Sequence, residues 1–242
     1  MKYSYEYKRM CVELYRQGKW PGTPAGIQRE DFRKMIRNWT RIEDSCGPEA
    51  LQHKNQNKEW TAEQKKVVAN IINRDFSTDR PLQKWTTDVS QFTLPWGKCY
   101  LSPILDMNTN EIISYNLSLS LNMEQIKDML HKAFERFPSV NGLIMHSDQG
   151  WQYQHATYRS ELREHKIIQS MSRKGNCYDN CIMETFFGRL KNEMFYGYEK
   201  EYTSFEVFSK AISDYIDYYN NRRIQAKTKW MPPVKFREAS MM

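Results

Sequence analysis

Long apolar runs are missing from this sequence of 242 residues. No stretch approaches the roughly 18 consecutive apolar residues that a membrane helix needs, and the N-terminus lacks the apolar core of a signal peptide. We therefore expect a cytoplasmic protein without a membrane partner. Apolar residues still make up 40% of the chain and aromatic residues 14%, which is enough for a packed core and argues against wholesale disorder.

Cysteine is also scarce. The five cysteines are widely scattered, so they do not form a disulfide framework. Cys177 and Cys181 have a spacing that could belong to one half of a zinc site, but a second pair of ligands is missing from the sequence. The sequence therefore predicts neither structural disulfides nor structural zinc.

Positive charge is in modest excess, with 36 Lys and Arg against 29 Asp and Glu. It is unevenly placed: residues 1–80 carry 16 basic and 11 acidic residues, residues 81–164 carry 7 and 9, and residues 165–242 carry 13 and 9. Two basic ends thus flank a slightly acidic middle. This layout is compatible with a polyanionic partner, although many soluble proteins carry a similar surplus without binding DNA.

The first 60 residues show helical periodicity. Apolar residues recur at helical spacing over residues 4–17 and again over residues 30–44, with a turn-rich segment between them. Basic residues that include Arg37 and Arg41 line the other faces of the second helix. The pattern predicts a small helix-turn-helix-like unit over residues 1–60, followed by a linker over residues 61–80. A pair of helices with a solvated charged face fits the same spacing.

Beyond residue 81 the hydrophobic period changes to that of strands. The predicted elements are strands over 85–94, 98–106 and 111–121, a helix over 122–137, a strand over 143–145, a helix over 154–165, a strand over 167–171, and helices over 179–196 and 204–223. This order predicts an α/β domain over residues 81–242, with a mixed five-stranded sheet flanked by helices.

Three carboxylates lie at unusual places in this pattern. Asp88 lies inside a strand, where aspartate is disfavoured, Asp148 follows a buried strand, and Glu184 lies in a helix beside its apolar stripe. If the three converge at the carboxyl edge of the sheet, two Mg²⁺ ions would offset their charge and leave positions open for water and phosphate oxygens. With 29 acidic residues in the chain, spacing alone supports this two-metal phosphoryl-transfer site only weakly.

Five segments of the sequence together resemble a known catalytic core. They cover residues 85–88, 104–106, 146–150, 170–180 and 184–191. In this order they resemble bacterial insertion-sequence transposases of the IS-three family, and the match extends over residues 67–236. The 35 residues between Asp148 and Glu184 are the spacing that is typical of this group. The resemblance implies a ribonuclease-H-like fold, similar to that of retroviral integrases.

The resemblance implies that Asp88, Asp148 and Glu184 form a catalytic triad that holds two Mg²⁺ ions, for which Mn²⁺ can substitute. Family behaviour implies that water first cuts the end of the element, and that the new 3′ hydroxyl then attacks a second phosphodiester without a covalent protein intermediate. Asp106 lies outside the triad and is expected to be structural. His146 is expected to orient the neighbouring loop by hydrogen bonding, with a metal-edge or acid-base role as the alternative.

The resemblance also implies that the partners are double-stranded DNA, namely the terminal inverted repeats and the target, bound by a homo-oligomer. The candidate DNA contacts are Lys191, Asn180, Arg173, Lys174, Arg222, Arg223, Arg37 and Arg41. Lys191 is alternatively an ordinary exposed helix lysine. Arg222 and Arg223 alternatively favour the C-terminal end of their helix.

The sequence departs from the family pattern between the N-terminal unit and the core. About twenty residues bridge the two, without the heptad run of a coiled-coil oligomerisation segment. Trp151 stands where small residues are usual, and Gln225 where His is common. We therefore interpret the chain as an abridged transposase. The alternatives are a general ribonuclease-H-like nuclease, which the spacing disfavours, and a catalytically silent derivative that binds terminal repeats and regulates or inhibits transposition.

Overall fold

The computed structural model describes residues 3–46, 68–173 and 177–241. Lys174 lies outside the described residues, as does the side chain of Arg41. The chain divides into two compact units, Met1–Lys66 and Val67–Met242. The linker expected over residues 61–80 stays a prediction, and its described part belongs to the second unit.

Within residues 3–46 the first unit contains two helices, α1 (Tyr5–Arg16) and α2 (Arg29–Cys46), so both predicted helices are confirmed. The Ser4 hydroxyl caps α1 by accepting a hydrogen bond from the backbone N–H of Tyr7. The buried core between the helices consists of Tyr3, Cys11, Val12, Phe32, Ile36 and Trp39. The connection over residues 17–28 is longer than the turn of about three or four residues in a typical helix-turn-helix, and DNA binding by this unit stays a prediction.

The second unit is built on a mixed sheet of six strands. They are β1 (Lys84–Thr87), β2 (Ser90–Leu94), β3 (Gly97–Asp106), β4 (Ile112–Ser118), β5 (Ile144–Ser147) and β6 (Ile168–Met171). The strand order is β2-β3-β1-β5-β6, with β4 also paired to β3. Pairs among β1 to β4 are antiparallel, whereas β1, β5 and β6 run parallel to one another.

The sheet has six strands rather than the expected five because the first predicted strand is interrupted at residues 88 and 89. The register with β3 is the same on both sides of this break, since Thr87 pairs with Ile104 and Ser90 pairs with Leu101. Asp88 therefore lies opposite Pro103, which has no N–H to donate to a neighbouring strand. The break releases the backbone from the ladder at the position of Asp88.

The described residues of the second unit form six helices. They are α3 (Met123–Arg136), α4 (Trp151–Gln154), α5 (Ala156–Glu164), α6 (Cys181–Leu190), α7 (Phe205–Asn221) and α8 (Pro233–Ser240). The helix predicted over 179–196 is shorter, because a 3₁₀ turn precedes α6 and a π-helical turn, Lys191–Phe195, follows it. In the described part of the chain, no helix has both the length and the apolar character needed to cross a membrane.

Two apolar clusters cover the two faces of the sheet. Neighbouring residues of β3 divide between them: Ile104 packs with residues of α3 and α5, and Leu105 packs with residues of α6 and α7. Because successive side chains of a strand point to opposite faces, the helices form a layer on each side. The predicted α/β architecture is therefore confirmed.

Candidate catalytic site

Two of the predicted catalytic carboxylates lie at the same edge of the sheet. Thr86 of β1 pairs in parallel with His146 of β5. Asp88 and Asp148 each follow this pair by two residues, at the carboxyl ends of neighbouring strands. Parallel pairing thus brings together two carboxylates that are far apart in the sequence.

Local backbone contacts hold each aspartate in place. Asp88 Oδ1 accepts the N–H of Val89 at 2.7 Å, and Asp148 Oδ1 accepts the N–H of Gly150 at 2.8 Å. A Cβ atom at Gly150 would lie 2.5 Å from Gln152 Nε2 and 2.9 Å from Asp148 Oδ1. A larger residue at this position would therefore have to displace the side chains of Gln152 and Asp148.

Glu184 lies in the first turn of α6, where its side chain is exposed. The Thr86 hydroxyl donates to Asn180 Oδ1 at 2.7 Å, which ties the residue before α6 to β1, the strand that Asp88 follows. Asn180 is only 6% exposed and makes this link between elements. The same link fixes the start of the helix that bears Glu184, and the predicted contact of Asn180 with DNA stays a prediction.

The electrostatics of Asp88 link the three carboxylates. The pKa of Asp88 is raised to about 7, first by burial and then by the negative charges of Asp148 and Glu184, while the Val89 N–H and the Lys191 ammonium oppose this shift. Lys191 Nζ also lies 5.2 Å from the centroid of the buried Phe92 ring. Lys191 is thus a half-buried cation beside the carboxylates rather than an ordinary exposed helix lysine.

Carboxylate oxygens are the donors that Mg²⁺ prefers, so Asp88, Asp148 and Glu184 have suitable chemistry for this ion. The mutual repulsion that raises the pKa of Asp88 is what a bound cation would relieve. However, no three His, Cys, Asp or Glu side chains within residues 3–46, 68–173 and 177–241 are close enough to form a ready-made metal cluster. The three residues therefore suit Mg²⁺ in the type of their donor atoms and in their negative charge.

His146 is fully buried and uses both ring nitrogens in hydrogen bonds. Nε2 lies 2.9 Å from the carbonyl oxygen of Asp179, and Nδ1 lies 2.9 Å from the hydroxyl of Ser170. A carbonyl can only accept, so Nε2 carries the proton and the Ser170 hydroxyl donates to Nδ1. Burial lowers the pKa of His146, which favours the neutral ring. His146 therefore joins β5, β6 and the turn before α6, in agreement with the orienting role expected for it.

Asp179 is a structural anchor that the sequence analysis missed. Its fully buried carboxylate accepts from the Nε atoms of Arg173 and Arg74, each at 3.0 Å, and from Asn70 Nδ2 at 2.9 Å. These hydrogen bonds, those from Arg173 above all, hold the pKa of Asp179 well below its ordinary value. Arg173 thus pairs with Asp179 in this structure, and its predicted contact with DNA stays a prediction. The only signal in the sequence was that Asp179 falls within a segment that resembles the family.

The remaining predicted DNA contacts lie on two units. In the second unit, Arg222 pairs with Asp217 at 2.9 Å, and Arg223 binds Glu193 with a closest approach of 2.6 Å. In the first unit, the Arg37 guanidinium lies 5.9 Å from the centroid of the Trp20 ring. These contacts neither show nor exclude that the arginines bind DNA phosphates, so their DNA-binding roles stay predictions.

Asp106, which was expected to be structural, is fully buried. Its carboxylate accepts from the N–H of Leu82 at 2.8 Å and from the indole Nε1 of Trp85 at 3.1 Å. It also caps the turn after β3 by accepting the N–H groups of Asn108 and Thr109, both at 2.9 Å. Asp106 therefore organises the β3–β4 turn and is separate from the triad.

Comparison with known proteins gives consistent matches. Residues 78–177 match one family model described as an integrase core domain, and residues 184–241 match a second. The chain is 45% identical over 208 residues to a transposase-like protein of Haemophilus influenzae, which covers 86% of this chain and 92% of that protein. It is 38% identical over 238 residues to the InsK transposase of insertion sequence element IS150 from Escherichia coli K12, covering 98% of this chain and 79% of that protein.

Solved structures support the fold. The catalytic core domain of HTLV-2 integrase, solved with magnesium, superposes with a TM-score of 0.53 at 14% identity and covers 66% of this chain and 99% of that chain. A chain of the simian T-cell lymphotropic virus intasome gives a TM-score of 0.57 at 13% identity, covering 65% of this chain and 55% of that one. At such identities the likeness concerns the fold alone, and it confirms the expected ribonuclease-H-like architecture of the second unit.

Proposed function

Because this chain belongs to the family of insertion-sequence transposases with an integrase core domain, we propose that it cuts DNA at insertion-sequence ends and joins these ends to target DNA. The observation that carries the proposal is the parallel pairing of β1 with β5, which puts Asp88 and Asp148 at one edge of the sheet. The negative charge of Glu184 also raises the pKa of Asp88. Such a carboxylate constellation suits phosphoryl transfer assisted by metal ions.

We assign Asp88, Asp148 and Glu184 as ligands of two Mg²⁺ ions, with Mn²⁺ as a substitute. Bound there, the metal would polarise phosphoryl oxygens and lower the pKa of water. Asp88 must lose its proton to act as a ligand, and Lys191 favours this loss. Glu184 is exposed on the first turn of α6, so its side chain is free to turn towards the two aspartates.

The proposed substrates are double-stranded DNAs, namely the terminal inverted repeats and the target. In the second unit, Lys191 is the candidate for contact with the scissile strand because it lies beside Asp88. In the first unit, Arg37 and Arg41 belong to α2, a long helix suited to the major groove. We further propose that a homo-oligomer brings two ends together, since strand transfer of an element joins both of its ends.

One observation favours a second candidate function. About twenty residues bridge the N-terminal unit and the core without the heptad run of a coiled-coil oligomerisation segment, which favours a derivative that binds terminal repeats without cutting them. Such a protein would regulate or inhibit transposition by occupying the repeats.

Incubation of the whole protein with labelled DNA that carries the element's ends, in Mg²⁺ or Mn²⁺, separates these functions. Cleavage or joining by the wild type is expected to fall at least about a thousandfold in Asp148→Asn and Glu184→Gln, because each loses a metal ligand. Asp214→Asn, which removes an exposed carboxylate paired with Lys210, serves as the matched control and should retain activity.

Undiminished cleavage by Asp148→Asn or Glu184→Gln would refute the triad. Wild-type protein that binds the labelled ends but cuts them in neither metal would instead establish the regulatory function.

A further inference from the structure

A cleft of about 320 Å³ lies in the second unit between α6, the end of α7 and residues 224–227. Arg189 of α6, Gln225 and Lys227 supply its polar lining, and Ile182 and Tyr219 are among its apolar walls. Arg189 comes five residues after Glu184, which is about 140° around the helix at about 100° per residue. The cleft therefore opens on a different side of α6 from the catalytic carboxylates.

Two cations of this cleft contact only neutral acceptors. Arg189 Nη1 lies 3.4 Å from Gln225 Oε1, and Lys227 Nζ donates to the carbonyl of Met107 at 2.6 Å and to Asn110 Oδ1 at 3.1 Å. In the described part of the chain, neither cation forms a salt bridge with a carboxylate.

Arg223, which also lines the cleft, differs because it is paired with Glu193. The cleft thus holds two positive charges more than its own salt bridges offset.

Gln225 adds a buried donor that lacks a hydrogen bond of good geometry. The residue is 5% exposed, and its Oε1 accepts from Asn110 Nδ2 at 2.9 Å as well as from Arg189. Because Asn110 Nδ2 and Arg189 are both donors, the Gln225 amide is oriented with Oε1 towards them. The amide Nε2 is buried and makes no hydrogen bond of good geometry within the described residues, although the Gln225 amide acts on the Tyr219 hydroxyl and opposes the burial that raises the pKa of Tyr219. A poorly paired buried donor destabilises a fold unless a ligand accepts from it.

The positive charges of the cleft also act on one another. Burial lowers the pKa of Lys227, the charge of Arg189 adds to this effect, and the buried Asp106 and the thiol of Cys181 oppose it. The Arg189 charge likewise acts on Glu193, the partner of Arg223. An anion placed between Arg189 and Lys227 would remove this repulsion.

We propose that the cleft binds a phosphate group, carried either by a DNA strand or by a free phosphate ion. A guanidinium, an ammonium and an amide NH₂ group are all donors, and phosphate oxygens can accept from each of them. This site is independent of the triad, and binding to it requires no catalysis.

Thermal unfolding of the whole protein, in inorganic phosphate against chloride at equal ionic strength and without divalent metal, tests the proposal. Phosphate should raise the melting temperature of the wild type. Arg189→Gln should raise the half-maximal phosphate concentration about tenfold, since one charge-assisted hydrogen bond is lost. Lys210→Gln removes the same charge from an exposed site on α7 and should respond like the wild type.

A second variant distinguishes loss of the phosphate site from misfolding of the protein. Gln225→Glu places a carboxylate between Arg189 and the amide of Asn110, where it would take the place of the anion. It should melt at a higher temperature than the wild type without phosphate and should lose the response to phosphate.

Anisotropy of a short labelled duplex, measured over a range of salt concentrations, separates the two sources of phosphate. If a DNA strand supplies it, Arg189→Gln should weaken binding and reduce the salt slope by about one, whereas Lys210→Gln should not. A lost phosphate response with an unchanged slope would assign the site to a free anion. The same phosphate response in the wild type, Arg189→Gln and Gln225→Glu, or no response in any of them, would overturn the proposal. Cleavage is not a readout, so loss of the triad assignment would leave this result unaffected.

Discussion

At the residue scale, Asp88 is the group whose charge state the fold controls most directly. Its folded-state pKa of about 7 lies above the ordinary value of 3.8 because of burial and of two nearby carboxylates. The folded protein therefore holds this proton more tightly than the unfolded chain. The stability that Asp88 contributes is fully present below about pH 4 and is lost as the pH rises to about 7.

Asp88→Asn should remove this dependence in metal-free buffer. As the pH rises from 5 to 8, the unfolding free energy of the wild type should fall relative to that of the variant. The fall should be about 1.4 kcal/mol per pH unit until the pH reaches the folded-state pKa of Asp88. Thermal or denaturant unfolding at each pH measures the difference. Added Mg²⁺ should stabilise the wild type more than the variant at pH 8, because only the wild type presents both aspartates.

Asp214→Asn, in an exposed pair with Lys210, is the matched control and should show no such trend. A difference between wild type and Asp88→Asn that stays constant with pH would contradict the assigned electrostatics.

The two aspartates of the triad were singled out by their positions relative to predicted strands, whereas Asp106 was singled out through the resemblance to the family. Sequence reasoning could not predict that Asp179 joins separate segments of the chain: Arg173 is only six residues away, but the second partner, Arg74, lies 105 residues earlier. Such a contact depends on how β6 and the turn before α6 pack, and neither periodicity nor residue type encodes that packing locally. The same holds for the hydrogen bond between Thr86 and Asn180, which spans 94 residues.

At the scale of elements, the position of α6 depends on this anchor. Asp179 belongs to the 3₁₀ turn Cys177–Asn180 before the helix, and its hydrogen bonds with Arg173 and Arg74 hold this turn against the body of the unit. Its folded-state pKa is depressed, so its stabilisation is present above the unfolded value near 4 and is lost as the pH falls towards the folded-state pKa.

Asp179→Asn should therefore destabilise the protein at pH 7, by about 2–3 kcal/mol, because a buried acceptor of several charged hydrogen bonds is lost. The loss should shrink below about pH 4, because the unfolded wild type then takes up a proton that the folded Asp179 does not. Chemical denaturation at pH 7 and pH 3 measures both values. Asp217→Asn removes an exposed carboxylate paired with Arg222 and should cost much less, because exposed ion pairs contribute little to stability. Equal losses in the two variants would show that Asp179 is not the anchor of α6.

Most elements could be predicted because their apolar residues follow the helical or strand period over several turns or pleats. Two features could not. The break between β1 and β2 falls opposite Pro103, a residue of the partner strand, so the register must be known before its effect is visible. Helix α8 is short, and the ion pair of Arg237 with the buried Glu111, at 2.7 Å, ties it to the sheet.

At the scale of the whole molecule, the basic residues are divided between two compact units. Residues 1–80 carry 16 basic residues, whereas the carboxylates of the candidate catalytic site all lie beyond residue 80. In α2, the guanidinium groups of Arg33 and Arg37 lie 4.6 Å and 5.9 Å from the Trp20 ring centroid, which holds them on one side of the helix. This division predicts that binding of DNA and chemistry on DNA respond to different substitutions.

Arg37→Gln should weaken binding to terminal-repeat DNA and lower the salt slope by about one phosphate contact, because a cation of the first unit is lost. It should leave the Mg²⁺-induced rise in melting temperature unchanged, since that rise depends on carboxylates of the second unit. Asp148→Asn should do the reverse and abolish the Mg²⁺ effect while retaining binding to the repeats. Anisotropy titrations across salt concentrations and parallel melting curves provide both readouts for each variant. If Arg37→Gln bound the repeats with unchanged affinity and slope, the first unit would not be the DNA-reading part, and the repeats would have to be recognised by the second unit alone.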